Sequence, residues 1–176
     1  MALHGTFKKT LGWTGFAMVS ALLAVPAGAQ VERGKAELKA GSGAMTVDYG
    51  RPSLKGRDML AELKPGAFWR MGMNQATVLT TPVDLAFGAT KVAKGSYSLW
   101  LKKVGDTFEL VFNSQTGQWG TQHDPAKDVG SVALKQEPLP APVETFVMDL
   151  KAAPKGGDLS LSWGASKLSA GFELGK

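Results

Sequence analysis

The residues best suited to chemistry lie in one long polar segment, residues 114–128 (SQTGQWGTQHDPAKD). This segment contains His123, which is followed directly by Asp124 and, one helical turn later, by Asp128. A histidine whose ring is oriented by a carboxylate can act as a general base near neutral pH. The alternative, which we favour, is structural: Asp124 caps a turn beginning at Pro125, and His123 hydrogen-bonds the loop. His123 and Asp124 are the candidates for catalysis.

The same segment also has the composition of a ligand-binding loop. Trp119 is flanked on both sides by glycine-containing dipeptides, so flexible backbone surrounds its ring. An amphipathic ring that stacks, with amide and hydroxyl groups beside it, suits a sugar. We predict that Asn113, Gln118 and His123 supply the hydrogen bonds. In the alternative interpretation, the Trp119 ring is an anchor that packs on the edge of the core.

Two arginines and an asparagine form a second set of candidate ligand-binding residues. Arg51 lies in a basic loop, residues 49–57 (YGRPSLKGR), and Arg70 and Asn74 lie in residues 68–77 (FWRMGMNQAT). Arginine forks bind carboxylates or phosphates. More often such arginines pair with carboxylates of their own domain and fix loops, and this is the interpretation we favour.

The sequence predicts neither a metal nor a cofactor. It has no cysteine, which excludes disulfides, thiolate metal sites and cysteine nucleophiles. His123 is the one histidine outside the N-terminal leader, whereas zinc enzymes use three or four histidine, cysteine or carboxylate ligands. Phosphate-binding glycine loops and serine-hydrolase motifs are also missing.

The N-terminal residues predict export. Lys8 and Lys9 precede an uncharged, largely apolar run over residues 11–25, and small residues follow up to Ala29. This order is typical of a signal peptide over residues 1–29, and a run of about 15 residues is too short to span a bilayer. We therefore expect a periplasmic or secreted protein with a single domain over residues 30–176 and no membrane span after cleavage.

The charge of the chain argues against nucleic acid as a partner. The 20 basic and 15 acidic side chains give +5, and two of the basic ones, Lys8 and Lys9, leave with the leader. The remaining lysines and arginines are scattered, whereas nucleic-acid-binding proteins usually cluster them on one face or helix.

Period-two alternation of apolar and polar residues runs through the mature region, for example Phe108, Leu110 and Phe112 against Thr107 and Glu109. Such alternation indicates strands with one buried face. About nine or ten short strands separated by tight turns predict an all-β fold, an antiparallel β-sandwich that is jelly-roll-like or Greek-key. A closed β-barrel is the alternative.

A few segments interrupt this pattern. Asp58–Leu63 is predicted to form one helical turn that closes near Gly66, and Asp124 is a predicted N-cap followed by Pro125 at the first helical position. The proline-rich residues 137–143 (EPLPAPV) are predicted to be an extended connector between strands. Trp163 shares the apolar phase of its strand and is predicted to lie in the core. Trp100 is on the opposite phase from its neighbours and is predicted to face water, a neighbour or a ligand.

Four segments in the same order resemble a bacterial secreted family known as domain of unknown function 2911. They are YGRPSLKGR, WRMGMNQAT, GSYSLW and FNSQTGQWGTQHDPAKD, and the resemblance runs from about residue 34 to residue 172. The family commonly has Glu after the asparagine of its second motif, where this chain has Gln75. The resemblance implies export and a single domain, and it implies no activity, ligand or catalytic residue.

Three functions remain open at this point. The first is an exported, non-catalytic module that binds a small polar ligand or a glycan near residues 114–128. The second is a hydrolase or isomerase that uses His123 with Asp124, aided by Arg51 or Arg70. The third is a structural envelope protein that binds other proteins through a strand edge. Geometry separates them: the enzyme requires His123 in a concave pocket, and the glycan binder requires an exposed Trp119 ring along a groove.

Overall fold

Most segments with alternating apolar and polar residues form strands in the structure, a computed structural model that describes residue 1 and residues 33–175. The elements, in chain order, are β1 (Arg33–Ala40), β2 (Gly43–Gly50), α1 (Met59–Glu62), β3 (Phe68–Trp69), β4 (Thr77–Thr81), β5 (Leu85–Phe87), β6 (Thr90–Val92), β7 (Gly95–Val104), β8 (Thr107–Asn113), a 3₁₀ helix (Pro125–Lys127), β9 (Asp128–Ala153) and β10 (Gly156–Leu174).

All strand pairs in the described part of the chain are antiparallel, and the strand order is β1-β2-β4-β7-β8-β9-β10-β5-β6, with β3 paired to β7. The ten strands form one sheet with β1 and β6 at its two edges, so it is not closed. The prediction of an all-β, sandwich-like fold is confirmed. The closed-barrel alternative is wrong, because the edge strands do not pair with each other.

The longest strand, β9, joins the two parts of the sheet. The first residues of β9 pair with β8, and its later residues pair with β10. The β9–β10 ladder shifts register on both sides of Gly164, whose φ of +58° is easily reached by glycine. Bulges of this kind bend a strand and increase its twist.

The structure corrects the interpretation of residues 137–143 as a connector. They lie inside β9, where Glu137, Pro138 and Val143 each face a residue of β10. Proline donates no hydrogen bond, so it occurs in a strand where the ladder is irregular, as it is here. The sequence pattern also missed β6, because its three residues are too few to show alternation.

The main core lies between the layers. Trp163 is 2 % exposed, as predicted, and its ring stacks on that of Trp69 with centroids 5.1 Å apart. Trp100 is equally buried but belongs to a small second cluster with Ala76 and Val111. Trp100 was predicted to face water, a neighbouring side chain or a ligand. It faces a neighbouring side chain, that of His123.

The predicted cap at Asp124 is present, and the predicted turn over Asp58–Leu63 contains α1, which Asp58 caps. The Asp58 carboxylate accepts a hydrogen bond from the backbone N–H of Ala61 at 3.1 Å, and that of Asp124 accepts one from Ala126 at 3.1 Å. These bonds satisfy N–H groups that a short helix leaves without partners.

The chain divides into two compact units, Met1–Gln30 and Val31–Lys176, and all described strands and helices belong to the second. The predicted signal peptide, residues 1–29, lies outside the described residues except for Met1. A search of the described part finds no helix with the length and apolar character that a membrane crossing requires.

Candidate functional site

The loop containing Arg51 and the segment containing Arg70 cross in close contact. A Cβ atom added to Gly50 would lie 2.3 Å from the carbonyl oxygen of Met73, and one added to Gly72 would lie 3.0 Å from the carbonyl oxygen of Gly50. Only residues without a side chain allow two backbones to approach so closely. Gly50 and Gly72 are therefore required by the crossing.

The segment containing Arg70 also pairs with residues 114–128, which we call the tryptophan loop. The N–H of Gly120 donates to the carbonyl oxygen of Asn74 at 2.8 Å, and Ala76 donates to Gln118 at 3.2 Å. Between these bonds, Gln75 and Trp119 form an isolated antiparallel bridge. Three motifs that are distant in sequence thus meet at one place.

Backbone strain is concentrated in the same segment. Met71 and Asn74 have φ values of +49° and +63°. Asparagine adopts this conformation readily, but for a residue such as methionine it costs about 1–2 kcal/mol. Met71 is fully buried, and its carbonyl oxygen accepts a hydrogen bond from the Thr77 hydroxyl at 2.7 Å. Burial and this bond hold the turn beside Arg70 in place.

The His123 ring lies between two aromatic rings. Its centroid is 4.3 Å from that of Phe68 and 4.7 Å from that of Trp100. Its Nε2 atom lies 2.9 Å from Oδ1 of Asp128, and only 10 % of the side chain is exposed. Among residues 33–175, no group hydrogen-bonds Nδ1. The ring is therefore fixed on both faces and at one nitrogen.

The carboxylate at His123 is that of Asp128, not that of Asp124. Asp124 has an extended backbone, and side chains of adjacent extended residues point in opposite directions. Its carboxylate is directed to the 3₁₀ helix, where it caps Ala126. The predicted pairing of His123 with Asp124 is thus absent, and the predicted capping role of Asp124 is present.

Asn113 holds the two ends of the tryptophan loop together. It has no exposed surface. Its Nδ2 donates to the carbonyl oxygen of Asp124 at 2.8 Å and to Oδ1 of Asp128 at 2.7 Å. Its Oδ1 accepts from the N–H of Gln115 at 2.9 Å. All hydrogen-bonding atoms of the amide have partners within the protein. Asn113 therefore shapes the loop and does not bind a ligand as predicted.

Gln118 is also buried, at 6 % exposure. Its Nε2 and the indole Nε1 of Trp100 both donate to the Ser98 hydroxyl, at 2.9 and 3.0 Å. Its Oε1 accepts no hydrogen bond from any of the described residues. The Gln118 side chain therefore fastens the tryptophan loop to β7.

Arg70 is half-buried and has no carboxylate partner among residues 33–175. Its Nε donates weakly to the carbonyl oxygen of Gly72 at 3.4 Å. Its aliphatic stem packs on Gly120, where an added Cβ would lie 2.2 Å from Cδ of Arg70. The terminal nitrogens of its guanidinium group remain without a protein acceptor in the described part of the chain.

Arg70 and His123 line one cavity, which we call the central cleft. It has a volume of about 450 Å³, within the usual range for small-ligand pockets. Its lining consists of Phe68, Trp69, Arg70, Trp100, Gly120, Thr121 and His123.

The other predicted ligand-binding residues lie outside this lining. Arg51 is half-buried in its loop, and Asn74 uses its carbonyl group to hold Gly120. Trp119 is 50 % exposed and directly precedes the lining residue Gly120. Sequence reasoning missed Phe68, Trp69 and Thr121 as lining residues, although the aromatic pair directly before Arg70 was a usable signal.

No group of three or more histidine, cysteine or acidic side chains suitable for holding a metal ion occurs within the described residues. The polar groups in the central cleft are a guanidinium, an imidazole and a hydroxyl, which suit an anionic or hydroxyl-bearing ligand.

Comparison with known proteins gives one match. The model of a family described as "Protein of unknown function (DUF2911)" matches residues 32–172, which is most of the chain. No curated protein and no solved structure matches this chain.

Proposed function

The chain belongs to the DUF2911 family, and we propose that it is an exported, non-catalytic binding protein that holds a small anionic ligand in the central cleft. A sugar acid is the ligand class that fits best. Its carboxylate would contact Arg70, its ring would lie against the aromatic lining, and its hydroxyls would contact Thr121 and His123.

The observation that carries this proposal is the state of Arg70. Arg70 is half-buried, and no carboxylate among the described residues supplies a countercharge to its guanidinium group. A ligand carboxylate would restore the balance, and arginine can bind one through two parallel hydrogen bonds. Arg57, an exposed arginine just before α1, differs because its guanidinium group forms an ion pair with the Glu62 carboxylate at 3.0 Å.

The rigidity of the site also supports binding. His123 is fixed by two rings and Asp128, and the backbone of the Arg70 segment is held by bonds to the tryptophan loop. A cleft that is ordered before the ligand arrives loses less entropy on binding.

A thermal-shift experiment tests the proposal, with galacturonic acid, glucuronic acid and neutral galactose as probes. A ligand at 100 times its Kd adds about 2.7 kcal/mol to the free energy of unfolding. This raises the Tm of a domain this size by roughly 5–10 °C. We expect a rise with an acid and none with galactose. Arg70→Ala should lower the affinity about 10- to 100-fold, since hydrogen bonds to charged groups contribute about 1.5–3 kcal/mol.

Arg33→Ala is the matched control, because Arg33 is an arginine of β1 whose partner is Asp48 and which does not line the central cleft. It should leave the affinity unchanged. Equal weakening by both variants would mean that net charge, and not the cleft, attracts the ligand, and the proposal would fail.

An acid–base enzyme is the second candidate, and the contact between His123 and Asp128 favours it. An ionised carboxylate only accepts hydrogen bonds, so a neutral ring bound to Asp128 through Nε2 carries its proton there and leaves Nδ1 as a base. NMR spectra of a bound ligand over several hours separate the two functions. A product that forms with the native protein and not with His123→Gln establishes the enzyme; an unchanged ligand supports binding alone.

A further inference from the structure

A second cavity, which we call the loop cavity, adjoins the central cleft. It has a volume of about 240 Å³, and Trp69 and Arg70 line both cavities. The Arg70 side chain also contacts one further lining residue of each. Its stem packs on Gly120 of the cleft, and its Nε lies 3.4 Å from the carbonyl oxygen of Gly72 in the loop cavity. A ligand carboxylate bound to Arg70 is therefore within reach of both cavities.

The lining of the loop cavity is mainly apolar. Six of its side chains are large and apolar, and two of these are tryptophans: Pro52, Leu54, Met59, Trp69, Met73 and Trp163. All except Trp163 remain partly exposed. Small-ligand pockets usually have such a lining, and apolar surface that faces water in a concavity is stabilised when an apolar group covers it.

The polar groups of the loop cavity need little from a ligand. Arg57 forms an ion pair with Glu62 at 3.0 Å, and Oγ of Ser53 lies 3.4 Å from Oγ1 of Thr145. Lys55 is exposed, so its ammonium group remains in water. No acid occurs among the described lining residues. The cavity therefore calls for neither a second acid group nor an amine, and an apolar group suits it best.

We propose that the loop cavity binds an apolar substituent carried by the ligand of the central cleft. The ligand is then a sugar acid in which an apolar ether or ester group lies next to the carboxylate, for example on O4 of a hexuronic acid. The carboxylate contacts Arg70, the sugar ring lies in the central cleft, and the apolar group enters the loop cavity. The proposal rests on the proposed function and adds the substituent to it.

The loop cavity has the size and the side chains to hold an aromatic substituent. An apolar cavity of about 150 Å³ takes up a benzene ring, so a volume of about 240 Å³ accommodates a benzyl group. Met59 and Met73 have unbranched side chains that adapt to the shape of a ligand, and methionine sulfur packs favourably on aromatic rings.

Calorimetric titration with methyl glucuronides that carry a free hydroxyl, a methoxy or a benzyloxy group at C4 tests the proposal. A buried methyl group should raise the affinity about fourfold, which corresponds to about 0.8 kcal/mol, and the benzyl group should raise it at least tenfold. Benzyl glucuronide, whose benzyl group is on O1 and farther from the carboxylate, should gain under about threefold.

The outcomes separate this proposal from the proposed function. Equal affinity of the three methyl glucuronides overturns the inference and leaves the proposed function standing. A gain with the O1 isomer as large as that with the O4 ether also overturns it, because the benzyl group then binds elsewhere. If no acid binds, both proposals are wrong. Both are also wrong if neutral methyl 4-O-benzylglucoside binds as tightly as the corresponding acid, since Arg70 then has no role.

Variants of the lining test where the benzyl group lies. Met59→Gln and Leu54→Gln place an amide in the loop cavity, and each should weaken the 4-O-benzyl acid about three- to tenfold. Neither should change the affinity of the acid with a free hydroxyl, which also reports an intact site. Leu38→Gln, at a half-buried apolar position of β1 outside both linings, is the control and should change neither affinity. Equal weakening by Leu38→Gln would overturn the proposal.

NMR locates the benzyl group in the native protein. With isotope-labelled methionine methyl groups, the benzyl protons of the bound 4-O-benzyl acid should give nuclear Overhauser effects to Met59 and Met73, both in the lining of the loop cavity. A complex without effects to either methionine would overturn the proposal, whatever affinity the ligand has.

Discussion

Two regions of the molecule contain cavities of opposite character. The larger cavity, which we call the turn cavity, has a volume of about 600 Å³ and lies around the turn between β9 and β10, with Gly156, Gly157 and Gly171 in its lining. The central cleft is smaller, at about 450 Å³, but it contains aromatic rings and a cation without an acid partner. Volume therefore does not identify the candidate site; the unbalanced charge and the fixed polar groups do.

The two regions also differ in how the surrounding backbone is held, and this difference gives the largest expected effect. A Cβ at Gly50, beside the site, would lie 2.3 Å from a backbone oxygen, whereas one at Gly171, in the turn cavity, would meet nothing closer than 3.9 Å. Gly50→Ala should therefore lower the free energy of unfolding by about 3 kcal/mol or more, and Gly171→Ala should change it little. Urea denaturation measures both, and equal effects would remove the contrast.

Buried polar side chains give the next largest effect. Asn113→Ala removes three hydrogen bonds and leaves buried partners unsatisfied, so it should cost about 2–3 kcal/mol in urea denaturation. Ser160, on β10, is also buried, and Ser160→Ala should cost under about 0.5 kcal/mol, because Ser160 makes no side-chain hydrogen bond within the described residues. A cost as large at Ser160 would show that both regions depend equally on polar groups.

The strained turn beside Arg70 gives a smaller effect. Asn74→Ala should lower the free energy of unfolding by about 1 kcal/mol, because alanine reaches a φ of +63° at a cost that asparagine partly avoids. Asn74→Gly should stay within a few tenths of a kcal/mol. Gly88→Ala, at a φ of +59° near the turn cavity, should match Asn74→Ala. If Asn74→Gly is as harmful as Asn74→Ala, the side chain has a role that backbone strain does not explain.

Trp119 gives the smallest effect on stability. Half of its surface is exposed, so Trp119→Ala should change the free energy of unfolding by under about 1 kcal/mol. The buried Trp163 should cost about 3–5 kcal/mol when replaced by alanine. If Trp119→Ala also leaves sugar-acid affinity unchanged in calorimetry, the stacking role of this ring is excluded.

Much of the fold could be predicted from the sequence, because strand alternation and turn residues are local signals. The pattern around Phe108, Leu110 and Phe112 predicted β8, and the cap at Asp124 predicted the 3₁₀ helix. The continuity of β9 could not be predicted, because it depends on pairing between Pro138 and a distant residue of β10.

The site was predicted less well than the fold. Its loops were recognised, and Arg70 and His123 do line the central cleft. The partner of His123 was misjudged because adjacency in sequence favoured Asp124, whereas the extended backbone at Asp124 directs its carboxylate away and the ring contacts Asp128. Asn113 and Gln118 were predicted to face a ligand, and their burial depends on tertiary contacts that composition does not show.

The pairing of β10 with β5 has a consequence for how the chain acquires its shape. Leu174 lies opposite Leu85, so the second layer cannot assemble until almost all of residues 33–175 have been made. Contacts between such distant residues make folding slow, because a long loop must close before they form. If the chain is exported as proposed, slow folding would keep it unfolded during passage across the membrane, and the central cleft would form only afterwards.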